Sequence, residues 1–178
     1  MPHERQSMLI RNAEAKDVPA ILALYNHAVR ETTAAWTGQE ETLDDRLTWF
    51  EGRKSQGLPV IVAVDAADDV AGFASYGAFR AKEGYRFTAE HTVYVDPDRH
   101  RQGIGRTLLK RLMELAEANG IHVLVGGVDG NNGASIALHE SLGFEVGGRL
   151  PQTGTKFGSW LDLVFLTKVL KEIDAPMG

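Results

Sequence analysis

Two glycines set two residues apart, Gly103 and Gly105, lie in the polar run Arg99-His100-Arg101-Gln102-Gly103-Ile104-Gly105-Arg106, which joins an apolar extended segment to a helical one. A loop of this kind at the head of a helix presents amide groups that have no intrahelical acceptor. With the positive end of the helix dipole they suit a pyrophosphate. The run is not a Walker loop ending in Lys-Ser/Thr, and it lacks the third glycine of a dinucleotide fingerprint. A tight strand-to-helix turn with no ligand would use the same residues. Upstream stand Arg80 and Arg86, whose guanidinium forks suit a carboxylate or phosphinate oxygen pair, with Tyr85 and Trp36 as candidate walls of a small site. Solvated arginines are the alternative. The six histidines, His3, His27, His91, His100, His122 and His139, have no metal-ligand spacing, so no metal is expected. The chain has no cysteine, which excludes disulfides, thiolate metal sites and a cysteine acyl carrier.

The elements that must position these residues follow from pattern. Thr92, Val93, Tyr94 and Val95 are β-branched or aromatic and stop at Asp96-Pro97, so they read as a strand. Leu108, Leu112 and Leu115 share one helical face, and Asn119-Gly120 offers a left-handed exit. Earlier, Leu9 to Arg11 reads as a short strand. Asp17 then caps a helix with Pro19 in its first turn, and Thr42 with Asp45 caps a second. Pro59 to Val64 and Val70 to Phe79 read as an antiparallel pair around the turn Asp65 to Asp69, and Ala81 to Phe87 as a loop. His122 to Val128 reads as a strand, the stretch from Asn131 to Leu142 as a short helix stopped by Gly143, and Lys156 to Leu170 as one or two closing strands. The order β-α-α-β-β-β-α-β-α-β-β predicts a mixed α/β sheet with hairpins early and a βαβ crossover late.

Composition bounds the rest. At 178 residues the chain suits one domain, read as 8–171 between an extension (1–7) and a tail (172–178). It is 43% hydrophobic and 24% charged, as in ordinary soluble proteins, and no apolar run approaches the roughly 20 residues of a membrane span. The opening lacks the apolar core of a signal peptide, which makes the cytoplasm the expected location. A net charge of −5 argues against nucleic acid as the main partner.

The stretch V-x-x-D-P-x-x-x-x-x-G-I-G-R-x-L-L, starting at Val93, resembles the acetyl-CoA loop of the GNAT N-acetyltransferases, although His100 stands where the family pattern has Arg or Gln. N-x-x-S-x-x-L-H-E-S-L-G-F, from Asn132 to Phe144, resembles the family's late helix. Within the superfamily, YNHAV (Tyr25 to Val29), EHTVYV (Glu90 to Val95) and KFGSWLD (Lys156 to Asp162) resemble the phosphinothricin and methionine sulfoximine N-acetyltransferases. The resemblance implies a GNAT fold and acetyl-CoA as co-substrate. Val93, Tyr94, Val95, Asn132 and Ser135 would hold the pantetheine arm, and the loop from His100 through Arg101, Gln102, Gly103, Ile104 and Gly105 to Arg106 the pyrophosphate. It further implies acetylation of the α-amine of small amino acids by a homodimer. Glu90 matches the family carboxylate and would serve as general base, directly or through water, since only a neutral amine attacks a thioester. His91 faces the other way along the strand and reads as structural. His139 occupies the position where many family members carry a proton-donating tyrosine, and reads either as general acid or as a packed histidine. A peptide N-terminus acetyltransferase and a non-catalytic acyl-CoA-binding module are the rival readings.

Overall fold

The structure is a computed structural model and describes residues 8–176. The segment 1–7 and the last two residues of the tail lie outside the described residues. Seven strands form one sheet in the order β1-β2-β3-β4-β5-β7-β6: β1 (Leu9–Asn12), β2 (Val60–Val64), β3 (Val70–Ala78), β4 (Thr88–Val95), β5 (Val123–Asp129), β6 (Glu145–Lys156) and β7 (Ser159–Val169). Helices α1 (Val18–Glu31) and α2 (Leu43–Ser55) follow β1; α3 (Ile104–Ala118) crosses from β4 to β5, and α4 (Gly133–Ser141) leads to β6. Every neighbouring pair is antiparallel except β4 with β5, which the α3 crossover makes parallel. The expected mixed α/β order is the observed one.

Two apolar layers sandwich the sheet. Leu108, Leu109, Leu112 and Ala116 of α3 are fully buried against Ile61, Ala63, Ala74 and Tyr76. On the other face Val18 and Ile21 of α1 and Phe50 of α2 pack on Val60, Val62, Val64 and Phe73. β2 is therefore buried on both sides, which is why it reads as an unbroken apolar run instead of an alternating one. Truncating one fully buried α3 leucine, such as Leu112→Ala, removes about 2–5 kcal/mol.

Two local expectations are corrected. Asp17 precedes α1, but its side chain does not cap it. Both carboxylate oxygens take the Arg11 guanidinium, at 2.7 and 2.9 Å, and one also accepts the Glu14 amide. A bidentate ion pair outcompetes a neutral amide for the same oxygens. The closing strands begin earlier than composition suggests, because β6 runs from Glu145 to Lys156. This edge strand is mostly exposed and contains Gly147, Gly148, Pro151 and Gly154, so it lacks the alternating signal of a strand.

Candidate active site

The parallel pair is short. β4 and β5 are in register from Thr88/Val123 to His91/Gly126, where the pairing ends. Beyond that point β4 stays on β3 as far as Val95/Gly72, and β5 stays on β7 as far as Asp129/Leu163. Thr92 to Val95 and Gly127 to Asp129 thus line a wedge-shaped gap in the sheet, with backbone polar groups of two strands facing a space without a strand. An extended amide-bearing chain can pair there as a strand would.

The loop between β4 and α3 stands beside this gap. Arg101 (φ 64°) and Gly103 (φ 78°) both take left-handed backbone, and Gly103 is the residue from which α3 starts. Single left-handed residues alternating with others turn successive N–H groups to one side, making an anion-binding concavity at the helix head. Among the described residues none accepts a hydrogen bond from the amides of Arg101 to Arg106. A Cβ on Gly103 would meet nothing within 4 Å, so the glycine is required by its φ and not by crowding. These residues fit a pyrophosphate. Arg106 bonds to Ser141 Oγ at 2.5 Å and so ties α3 to the end of α4; His100 and Gln102 are exposed. Val93 and Val95 pack toward α3, whereas Tyr94 brings only backbone to the gap. Its ring stacks on Phe73 at 5.1 Å on the opposite face, where burial pushes its hydroxyl up to about 12. Asn132 Oδ1 caps α4 through the Ser135 amide, at 3.1 Å.

Beneath the last strand pair, on the α3/α4 face, His91 and His139 meet Nε2 to Nε2 at 2.9 Å. Both are 5% exposed, and both rings pack edge-on against Phe144. His139 Nδ1 lies 2.7 Å from the Ser135 carbonyl, which can only accept, so Nδ1 carries the proton. In the neutral pair His139 Nε2 is then the acceptor and His91 Nε2 the donor. Burial pulls His91 down to about 3, with His139 adding to the effect, and burial lowers His139 as well. Gly126 makes room for the pair, since a Cβ there would lie 2.9 Å from the His91 ring and 3.0 Å from His139.

Glu90 lies on the opposite face. Register puts it directly across from Gly77 on β3, and its Oε1 leans toward Gly127 on β5. The carboxylate is flanked by two positions with no side chain of their own. Burial raises its pKa, and the Arg80 charge works against that rise. Arg80 is thus within electrostatic reach of Glu90, with its guanidinium 5.0 Å from the Phe79 ring centre. Arg86 is held by its own loop, donating to the Glu83 carbonyl at 3.2 Å over the Phe87 ring. Tyr85, Phe79 and Phe165 form an edge-to-face series that ends across from Gly127.

The loop joining α1 to α2 forms the remaining wall. Trp36 lies flat on Gly154 of β6, where a Cβ would come within 2.2 Å of its ring, and Trp36 Nε1 donates to Thr33 O at 2.8 Å. Thr33 Oγ1 in turn donates to Asp129 Oδ2 at 2.6 Å, fastening this loop to the end of β5 at the gap. The KFGSWLD block has its own structural task. Lys156 is buried and its Nζ donates to the carbonyls of Ala28 (3.3 Å), Ala35 (2.6 Å) and Thr32, around the end of α1. Asp129, Thr33, Lys156 and the His91 partnership were not singled out by spacing, since each acts through a partner distant in sequence.

The acetyltransferase (GNAT) family profile matches residues 21–144. This chain belongs to the GNAT acetyltransferases. An L-methionine sulfoximine/L-methionine sulfone acetyltransferase of Pseudomonas aeruginosa is 51% identical over 160 residues, covering 90% of this chain and 93% of that protein. A solved Salmonella typhimurium acetyltransferase with its cofactor acetyl-CoA superposes with TM-score 0.93 at 46% identity, covering 96% of this chain and 98% of the other. A Brucella melitensis structure named as a ribosomal-protein-alanine N-acetyltransferase superposes with TM-score 0.89 at 49% identity, covering 90% and 99%. Among the described residues there is no cluster of side chains suited to a metal and no helix long and apolar enough to cross a membrane.

Proposed function

We propose that this GNAT enzyme uses acetyl-CoA to acetylate the α-amine of a small amino acid or analogue, such as methionine sulfoximine, methionine sulfone or phosphinothricin. The observation that carries the reading is the gap between β4 and β5, with a half-buried carboxylate on one face and an anion-binding helix head on the other. Acetyl-CoA supplies an activated thioester, and the amides of Arg101 to Arg106 hold its pyrophosphate. The backbone of Thr92 to Val95 pairs with the pantetheine arm, aided by Asn132 and Ser135. Glu90, its pKa raised by burial, takes the proton from the substrate ammonium directly or through water. Amides on β4 hold the developing oxygen charge while nitrogen bonds to the acetyl carbon and the carbon–sulfur bond breaks. Of the two readings of His139 the packed histidine is favoured, since its Nδ1 proton is held by the Ser135 carbonyl and its Nε2 accepts from His91; the departing thiolate then takes its proton from water. Arg80, Arg86, Tyr85 and Trp36 are the side chains assigned to the substrate. The compartment is the cytoplasm.

The Brucella likeness favours one rival, a peptide amine as substrate. A panel of free amino acids, analogues and an alanine-ended peptide separates the readings, and no turnover with any of them leaves a binding module. We expect methionine sulfone to exceed methionine in kcat/KM by roughly ten- to hundredfold, because a donor left without the sulfone oxygen costs about 1–3 kcal/mol. Arg80→Ala should narrow that gap. Equal constants, or preference for the peptide, defeats this specificity. The working unit is a homodimer, supported by the exposed aromatics Phe157 and Trp160 at the β6–β7 hairpin. Sedimentation of a monomer at micromolar concentration would refute it.

A further inference from the structure

Arg46 and Arg53 stand on α2 seven residues apart, and of the two only Arg46 has a carboxylate within 4.0 Å among the described residues. Arg46 is buried, forms an ion pair with Glu41 Oε2 at 2.7 Å, and lies between Tyr25 and Trp49, with 4.0 and 4.6 Å from its guanidinium carbon to the ring centres; its Nε has no hydrogen-bond partner. Arg53 is half-buried, and among the described residues no carboxylate lies within 4.0 Å of it; its buried Nε has no hydrogen-bond partner. Its guanidinium fills the place of the side chain Gly77 lacks, since a Cβ there would come within 2.0 Å of Nη1, 2.7 Å of Cζ and 2.8 Å of Nη2. Gly77 is the residue directly across from Glu90. Opposed Cβ positions lie about 4.5–5.5 Å apart, so the Arg53 fork stands within roughly 8 Å of the Glu90 Cβ. Burial and the neighbouring Arg46 charge both disfavour this cation, and an incoming anion would relieve both.

We propose that Arg53 is the receptor for the α-carboxylate of the substrate. The proposal rests on the amino-acid reading above and sharpens it: Glu90 takes the amine, Arg53 grips the acid one strand away, and Arg80 is left for the oxygens of the side chain. A planar fork with five donors suits that carboxylate better than a lysine would. It also accounts for Gly77, because any side chain there would displace the guanidinium from beside Glu90.

The test compares methionine sulfone with its decarboxylated counterpart, 3-(methylsulfonyl)propan-1-amine, in wild type, Arg53→Met and Arg53→Lys. Wild type should favour the acid. Arg53→Met should reduce the acid-to-amine ratio of kcat/KM by about tenfold or more, mainly through KM of the acid, with acetyl-CoA affinity and thermal midpoint held. Arg53→Lys should fall between the two, and it decides the matter if the methionine variant does not fold. An unchanged ratio, or an equal loss on both substrates, overturns the assignment. A wild type active on amino acids with an unchanged ratio in the variants defeats Arg53 alone. A wild type that acetylates no free amino acid defeats the activity reading and this proposal together.

Discussion

The two faces of the sheet at β4 are built in opposite ways, although adjacent residues supply them. On the α3/α4 face His91 finds His139, His139 finds Ser135, and Phe144 closes the cluster; three of the four ring nitrogens have a partner, His91 Nδ1 alone lacking one, and both rings are buried. On the α1/α2 face Glu90 has no ion-pair partner within 4.0 Å among the described residues, Arg53 has none either, and Gly77 and Gly127 clear the floor around the carboxylate. Polar groups satisfied by protein hold a shape, whereas half-buried charges left unsatisfied need a ligand. The gap between β4 and β5 is where the two designs meet. In the proposed function the cofactor's fixed frame belongs to the first and the variable substrate to the second.

If the faces divide the work in this way, one variant on each should separate rate from affinity. Glu90→Gln keeps the shape and removes the base, so kcat should fall by about 10²–10⁴ with acetyl-CoA affinity near wild type. In wild type the rise of kcat/KM with pH should lie above the ordinary glutamate value, because burial raises the Glu90 pKa. Gly103→Val forces a β-branched residue into φ 78° at the helix head and should weaken acetyl-CoA by roughly ten- to hundredfold by calorimetry. Normal turnover in the first variant across pH removes Glu90 as the base. Unchanged affinity in the second removes the pyrophosphate from that loop.

Legibility in the sequence divides along related lines. The cap of α2, the glycine exits and the strands with a buried face follow from local pattern, as Thr42 with Asp45 and Gly120 at φ 80° illustrate, whereas the Asp17 cap of α1 gave way to its ion pair with Arg11. β6 was hidden because an exposed edge strand with three glycines and a proline has no period to read. The glycine loop at the head of α3, proposed for the cofactor, was legible as one contiguous stretch. The opposite face was not: Arg53 is set by Gly77 across the helix–sheet interface, and Thr33 by Asp129, a contact 96 residues distant in sequence. His91 was expected to be structural and is buried, but its partner could not be named from spacing on two different elements.

The histidine pair offers the mildest of these tests, because it concerns stability and not turnover. Both rings are held below the ordinary value, His91 at about 3, by burial. In the unfolded chain they titrate near 6.5, so above that pH neither state takes a proton and the pair has no pH dependence. As pH falls below about 6.5 the unfolded chain binds protons that the folded pair refuses. Stability should drop by at most about 1.4 kcal/mol per pH unit for each histidine, continuing toward the folded value. The range from pH 7 to 5 isolates the effect, since carboxylates held low in the fold, such as Asp17, Asp65 and Asp162, start to lose their contribution only below it. Glu90 works in the opposite sense, its raised pKa making acidification less costly, so the informative quantity is the difference between wild type and His91→Gln. Urea unfolding at pH 7 and pH 5 should show the variant less stable at pH 7 but with the shallower decline, because one refused proton has been removed. Equal declines would mean that the pair takes up protons in the folded state, and the buried face would then be open to water.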